Sequence, residues 1–319
     1  MRPADSELRA GLEQALAVAG FELAGGVERR PYAYRTSFPL EELRVELAGE
    51  GPVDLIFKQL EWEALEPAAQ VAKPRFLHDP ARELAVYATL LPQTPPGPPR
   101  CFGAIAEPGR HWLFLERVEG RELFQVGERE IWEDAARWLA RFHEALRDPA
   151  PGLAETARLI VHDAAHHRRW MQRAREFARE PGQEPGRAQA VERLAESHEQ
   201  VVGALLAEPR TCLHGEFYAS NVLVGRESRV APVDWEVAAV GAGLTDLAAL
   251  VGGWGEEDAA AIAAAYASAS GASLAGLGHA RLQLAIQWLG WAPPSWRPPE
   301  GQRHDWLAEA IELAEGLGL

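Results

Sequence analysis

Only two cysteines, Cys101 and Cys212, occur in 319 residues, far apart and without paired spacing. That argues against a disulfide framework and a cysteine zinc site, and each thiol is expected to be a small buried apolar group. Basic charge is also short. There are 32 Lys and Arg against 47 Asp and Glu, a formal net charge of −15, which repels nucleic acid and anionic membranes alike. The longest apolar run, Ala259 to Ala267, is alanine-rich and too short to span a bilayer. The first residues, MRPADSELRAGLEQALAVAG, carry acids where a signal peptide has bare basic charge, so a cytoplasmic protein is expected. What remains is a globular composition, 47% hydrophobic and 25% charged, in a chain long enough for two lobes. No internal repeat is visible, and nothing signals an oligomeric state.

The most informative stretch is Leu213 to Glu236, LHGEFYASNVLVGRESRVAPVDWE. Its apolar runs Val222 to Val224 and Val230 to Val233 are strand-like, and GRESR between them supplies a turn. A hairpin brings the residue before its first strand and the residue after its second to the same open end, so Asn221 and Asp234 are expected to converge. An amide oxygen and a carboxylate there make a hard half-site of the kind Mg²⁺ uses, with nucleotide phosphates and water completing it. Glu236, two residues beyond Asp234, is a candidate further ligand. Glu216 lies upstream in the loop, where a carboxylate can accept a hydroxyl proton.

The arrangement H-x-acid-x-x-x-x-N followed by a strand-end Asp resembles the catalytic loop and metal-binding Asp of the kinase fold. More narrowly, HGE…N and VDWE…DLAAL resemble the aminoglycoside phosphotransferase and choline kinase group of small-molecule kinases, where the loop usually reads HGD. Glu216 is one methylene longer than that Asp and must fold back to place its oxygen equivalently. The resemblance covers about residues 30 to 250. It implies an α+β, protein kinase-like two-lobed fold, with a small antiparallel-sheet lobe over 1–118 and a mainly helical large lobe over 119–319. It also implies that His214 braces the catalytic loop, that Asp246 anchors it to the next helix, and that His143 in LARFHEAL is structural.

The other parts of such a kinase follow in order. Val53 to Leu60 reads as a strand carrying Lys58, which resembles the lysine that pairs nucleotide phosphates. Pro80 to Leu91 reads as a helix with Asp79 as N-cap and Pro80 at its first position, and its Glu83 matches the acid that holds the lysine. Cys101 to Ala106 and Trp112 to Val118 form a hairpin around EPGR, ending in a hinge where the backbone near Glu116 and Val118 would meet the base. The glycine-rich phosphate turn is missing. In its place stands RPYAYRTSFP, where the hydroxyls of Tyr34, Thr36 and Ser37 and the charge of Arg35 are expected to cover the phosphates.

Beyond the hinge, Pro92 to Pro99 is a stiff connector, and Trp132, Ala135, Ala136, Leu139, Phe142, His143 and Leu146 recur at the spacing of a buried helix face. Ala164 to Arg179 and Ala188 to Leu206 are two amphipathic helices, expected to build a substrate-facing insert. His162, Asp163, His166 and His167 include an i, i+4 histidine pair but no third ligand, so no metal is expected there. Trp288, Trp291, Trp296 and Trp306, with His304 and Asp305, suit sugar stacking or a cation-binding cage. The expected activity is Mg²⁺-dependent transfer of the γ-phosphoryl group of ATP or GTP to a hydroxyl of a small molecule such as an aminoglycoside, sugar or amino alcohol. The alternative is a catalytically inactive, kinase-like nucleotide-binding regulator. A nucleotidyl transfer to protein fits the compact helical insert less well.

Overall fold

The computed structural model describes residues 2–32, 37–296 and 304–319. Its first lobe is built on a five-stranded antiparallel sheet. Helix α1 (Asp5–Val18) leads into β1 (Leu23–Pro31), β2 (Leu40–Leu47) and β3 (Gly51–Gln59), then α2 (Pro67–Ala72), α3 (Arg82–Ala85), β4 (Cys101–Glu107) and β5 (Arg110–Glu116). The sheet order is β1-β2-β3-β5-β4. Leu8, Leu12 and Leu16 recur at helical spacing on α1 and bury against Phe57, Trp112 and Phe114 of the sheet. The approach is close enough to require glycine: a Cβ at Gly11 would lie 2.5 Å from the Trp112 ring, and one at Gly103 would lie 2.6 Å from the Ala15 carbonyl oxygen.

The expected helix over Pro80–Leu91 begins later than its sequence suggests. Asp79 Oδ1 accepts the Ala81 N–H at 3.1 Å, closing a turn, and its Oδ2 binds Arg158 Nε at 2.8 Å. The α-helix starts at Arg82 and widens into a π-helical segment from Val86 to Leu90. Asp79 and Pro80 therefore belong to a turn that points Arg82 and Glu83 inward, where both are buried.

The larger lobe contains β6 (Gly120–Glu122), α4 (Arg129–Ala145), α5 (Leu153–Thr156), β7 (Ile160–Val161), α6 (Ala164–Ala178), α7 (Arg187–Ala207), β8 (Arg210–Leu213), β9 (Val222–Gly225), β10 (Val230–Pro232), β11 (Ala239–Ala242), α8 (Leu244–Val251), α9 (Glu256–Ser270), α10 (Leu277–Leu289) and α11 (Trp306–Leu317). The seven residues expected on the inner face around α4 are all buried, joined by Trp138. The Trp138 indole donates to the Pro96 carbonyl at 2.9 Å, and Arg229 donates to the carbonyls of Gly97 and Pro98, so the proline-rich connector is pinned from the large lobe. No helix among the described residues is long and apolar enough to cross a membrane.

Candidate active site

The VLVG and VAP runs pair antiparallel as β9 and β10, with Val224 opposite Val230, and the Val233 N–H donates to the Asn221 carbonyl at 2.9 Å. That last rung places Asn221 and Asp234 side by side at the open end. Asp234 adopts φ +66°, a left-handed conformation uncommon outside glycine, held here between β10 and the buried Trp235.

Lys58 enters from β3. Its Nζ lies 2.6 Å from Glu83 Oε2 and 2.5 Å from Asp234 Oδ1, tying the small-lobe strand, its helix and the large-lobe hairpin together. Glu83 Oε1 also accepts the Trp235 N–H at 3.3 Å. Burial works against the charge on Lys58, but Asp234 and Glu83 outweigh it and keep the ammonium protonated. Burial likewise pushes at Asp234, yet Lys58 prevails and its carboxyl is lowered. Above this cluster opens a partly enclosed cleft between the two lobes. Leu40, Ile56, Leu115, Val118, Leu223 and Val233 give it apolar walls, and Lys58, Glu83, Asn221 and Asp234 lie at its polar end.

Glu116 also lines the cavity, with its carboxylate committed elsewhere: it receives a two-pronged contact from Arg229 at 2.6 and 2.9 Å. The Glu116 N–H donates to the Arg100 carbonyl. Ser37 does not line the cavity. Its carbonyl accepts the Glu66 N–H at the start of α2, which turns the residue toward that helix. Tyr34, Arg35 and Thr36 lie outside the described residues. Tyr32 and Phe38, which flank them, approach the site: Tyr32 lines the cavity, and the Phe38 ring centre is 5.3 Å from Lys58 Nζ.

The loop that carries His214 and Glu216 is braced from behind. Asp246, at the start of α8, accepts the N–H groups of His214 and Gly215 at 2.7 and 2.9 Å and faces His143 Nε2 at 3.2 Å. His214 is fully buried, with Nε2 donating to the Val233 carbonyl at 2.9 Å and Nδ1 accepting the Glu216 N–H. It shapes the loop without reaching the cavity. Gly215 takes φ +89°, and a Cβ there would meet the Val237 carbonyl oxygen at 2.3 Å. The loop thus presents Glu216, whose carboxyl is pushed up to about 8 by burial first and by the neighbouring Glu236 carboxylate second, with Lys73 opposing.

Lys73 and Arg82 are site residues that the sequence reading missed. Lys73 Nζ is ion-paired with Glu236 in a buried contact. Arg82 donates to the main-chain carbonyl of Glu236 at 2.6 Å and to that of Leu77 at 2.7 Å. One compositional signal points to Lys73. Of 32 basic side chains only Lys58 and Lys73 are lysines, and both are here. Asn221 is likewise the only asparagine in the chain.

Asn221, Asp234 and Glu236 form an all-oxygen donor set suited to a hard cation, and the two acids already hold cationic ammonium groups. The Asn221 amide donates to the Glu216 carbonyl at 3.0 Å, and the residue itself lines the cleft. Among the described residues no group of three or more His, Cys, Asp or Glu could hold a metal ion, so such a site needs the asparagine and a ligand's own oxygens. His162 and His166 stack at 4.1 Å, and the Trp170 indole donates to His166 Nε2 at 3.1 Å. The C-terminal tryptophans cluster around Trp288, which stacks on Trp306 at 5.4 Å and meets Trp291 at 5.3 Å and Tyr218 of the His214–Asn221 loop at 5.7 Å in tilted contacts.

The sequence model described as the phosphotransferase enzyme family matches residues 44–285, most of the chain, from within β2 to within α10. The chain belongs to the phosphotransferase enzyme family. No curated protein matches it in sequence. Among solved structures, the macrolide 2'-phosphotransferase MphH from Brachybacterium faecium is 20% identical, with a TM-score of 0.60 over 88% of this chain and 90% of that one. The choline kinase LicA from Streptococcus pneumoniae is 12% identical, with a TM-score of 0.60 over 93% and 94%. The aminoglycoside phosphotransferase APH(3'')-Id from Streptomyces rimosus, determined with ADP and streptomycin, is 18% identical, with a TM-score of 0.55 over 89% and 99%. At these identities the likeness is one of fold, and it is the two-lobed kinase-like fold that the family shares. Within the family this chain is a small-molecule kinase.

Proposed function

We propose that this phosphotransferase moves the γ-phosphoryl group of ATP or GTP to a hydroxyl of a small molecule, in the cytoplasm, with its lobes meeting at residues 118 and 119. The observation that carries this reading is the contact of Lys58 with both Glu83 and Asp234 at the polar end of an otherwise apolar cleft. The base would lie between the aliphatic walls beside Glu116 and Val118. Lys58, oriented by Glu83, would hold the phosphates. Asn221, Asp234 and Glu236 would hold Mg²⁺, which when bound there neutralises charge on the phosphate oxygens.

Glu216 would position the acceptor hydroxyl and take its proton. Phosphoryl transfer depends more on placement and charge than on early proton removal, so a carboxyl with a raised pKa is compatible with the role. The regulator reading draws its one support from the same fact, because a carboxyl pushed up to about 8 is a poor proton acceptor at neutral pH. Nucleoside triphosphate consumption against a panel of sugars, aminoglycosides and amino alcohols separates the two. Acceptor-dependent release of ADP or GDP supports the kinase, with Glu216→Gln losing turnover while still binding nucleotide. Tight nucleotide binding with no consumption across the panel supports the regulator.

A further inference from the structure

Thirty of the chain's 32 basic side chains are arginine, and arginine serves its structural ion pairs, including the buried Arg29–Glu41 pair at 2.8 Å and the two-pronged Arg229–Glu116 pair. Lysine is kept at two positions only. Lys58 comes from β3 and Lys73 from the C-terminal end of α2, yet their ammonium groups flank one aromatic ring, 5.3 and 5.6 Å from the centre of Phe38. They pair with Asp234 and Glu236, the two acids that bracket Trp235. Both are buried.

The chemistry of the two side chains explains why these two carboxylates are paired with lysine, while Arg82 beside them serves main-chain carbonyls. A guanidinium locks a carboxylate through a rigid, two-pronged fork. An ammonium on a four-carbon stem is a compact charge that can leave one oxygen for another. Lysine is the better choice where an ion pair has to exchange partners, and Lys58 is such a case in the proposed reaction, since it must give up Asp234 to reach phosphate. Lys73 stands in the same relation to Glu236. The chain also lacks the glycine-rich turn that would bring backbone N–H groups onto the terminal phosphate, so positive charge from another element has a place to act.

We propose that Lys73 is a second phosphate-binding residue, which exchanges Glu236 for the terminal phosphoryl group of the bound nucleotide. The proposal rests on the kinase reading above. Lys58 then holds the phosphates from the strand side and Lys73 from the α2 side, both ammonium groups lying beside the Phe38 ring.

Because the chain has two lysines, chemical labelling can address each one separately. An acyl-phosphate derivative of ATP donates its acyl group to an amine beside the phosphates, forming an amide and releasing ATP. With the unaltered protein, the proposal expects peptides carrying acylated Lys58 and acylated Lys73, both suppressed by excess ATP. Lys58 labelled with Lys73 untouched would overturn it and leave Lys73 as a brace for Glu236. Labelling of neither would overturn both the proposal and the nucleotide site itself. Both labelled, with no acceptor ever phosphorylated, would uphold the second lysine and contradict the kinase reading. In kinetics, Lys73→Met is expected to lower kcat by about 10²-fold while leaving AMP affinity within about twofold, the signature of a contact made to the transferring group. Unchanged kcat would overturn the proposal.

Discussion

Asn221 donates its side-chain amide to the main-chain carbonyl of Glu216 at 3.0 Å, so the residue at the hairpin tip also sets the path of the loop that carries the proposed base. One side chain thereby serves two elements: its nitrogen holds the loop, and the residue itself lines the cleft.

Replacing Asn221 by Asp keeps an oxygen for a cation but removes the side-chain donor to the Glu216 carbonyl, which is left with the Tyr218 N–H alone. Asn221→Asp is therefore expected to retain much of its nucleotide affinity in Mg²⁺ and to lose about 10–100-fold in kcat through misplacement of the loop. Steady-state kinetics beside nucleotide titration reads the two effects separately. Equal losses in both would assign the side chain to nucleotide binding alone.

Asp246 accepts two consecutive loop N–H groups and sits within reach of His143. Asp246→Ala would leave those buried N–H groups without a partner, at a cost of about 1–3 kcal/mol each. The expected outcome is a fall in Tm on the order of several °C, together with loss of turnover. Thermal unfolding checks it, and a variant with unchanged Tm would mean that the loop does not depend on this anchor.

His166 and His167 are held neutral, lowered from the ordinary value to about 3 and about 4, mainly by burial and then by neighbouring histidines, with Asp163 opposing. His166 Nε2 must stay unprotonated to accept from the Trp170 indole. Because the folded-state values lie below the unfolded ones, this stability is complete above about pH 6.5 and is lost progressively as the pH falls toward the folded values. Tm is expected to drop by at least a few °C between pH 7.5 and pH 5, with a shallower decline in His166→Gln, whose amide oxygen can still accept. A flat profile for the unaltered protein would contradict the burial of these rings.

The hairpin was legible because local chemistry dictates it: two valine-rich runs around GRESR leave β9 and β10 as the natural reading, and the pairing forces Asn221 toward Asp234. The buried face of α4 was legible for the same reason, through its 3.6-residue period. The start of α3 was misread because Asp79-Pro80 has the chemistry of a helix cap, while the Asp79 carboxylate is divided between Ala81 and Arg158, a partner 79 residues away. Lys73 left no periodic signal in the irregular segment after β3, and its partner Glu236 lies 163 residues downstream. Pairings of that separation are decided by packing between lobes, and only the scarcity of lysine in the chain hinted at it.

Phosphoryl transfer as proposed requires Asp234 to work with Lys58 and Asn221. Its most direct test follows γ-³²P from ATP or GTP into acceptors from the sugar, aminoglycoside and amino-alcohol panel, comparing the unaltered protein with Asp234→Ala, each with Mg²⁺ and with chelator. Label is expected in an acceptor only with the unaltered protein and Mg²⁺, and transfer by the variant is expected to fall by about 10³-fold or more. Equal transfer by Asp234→Ala, or transfer undiminished by the chelator, would contradict the account.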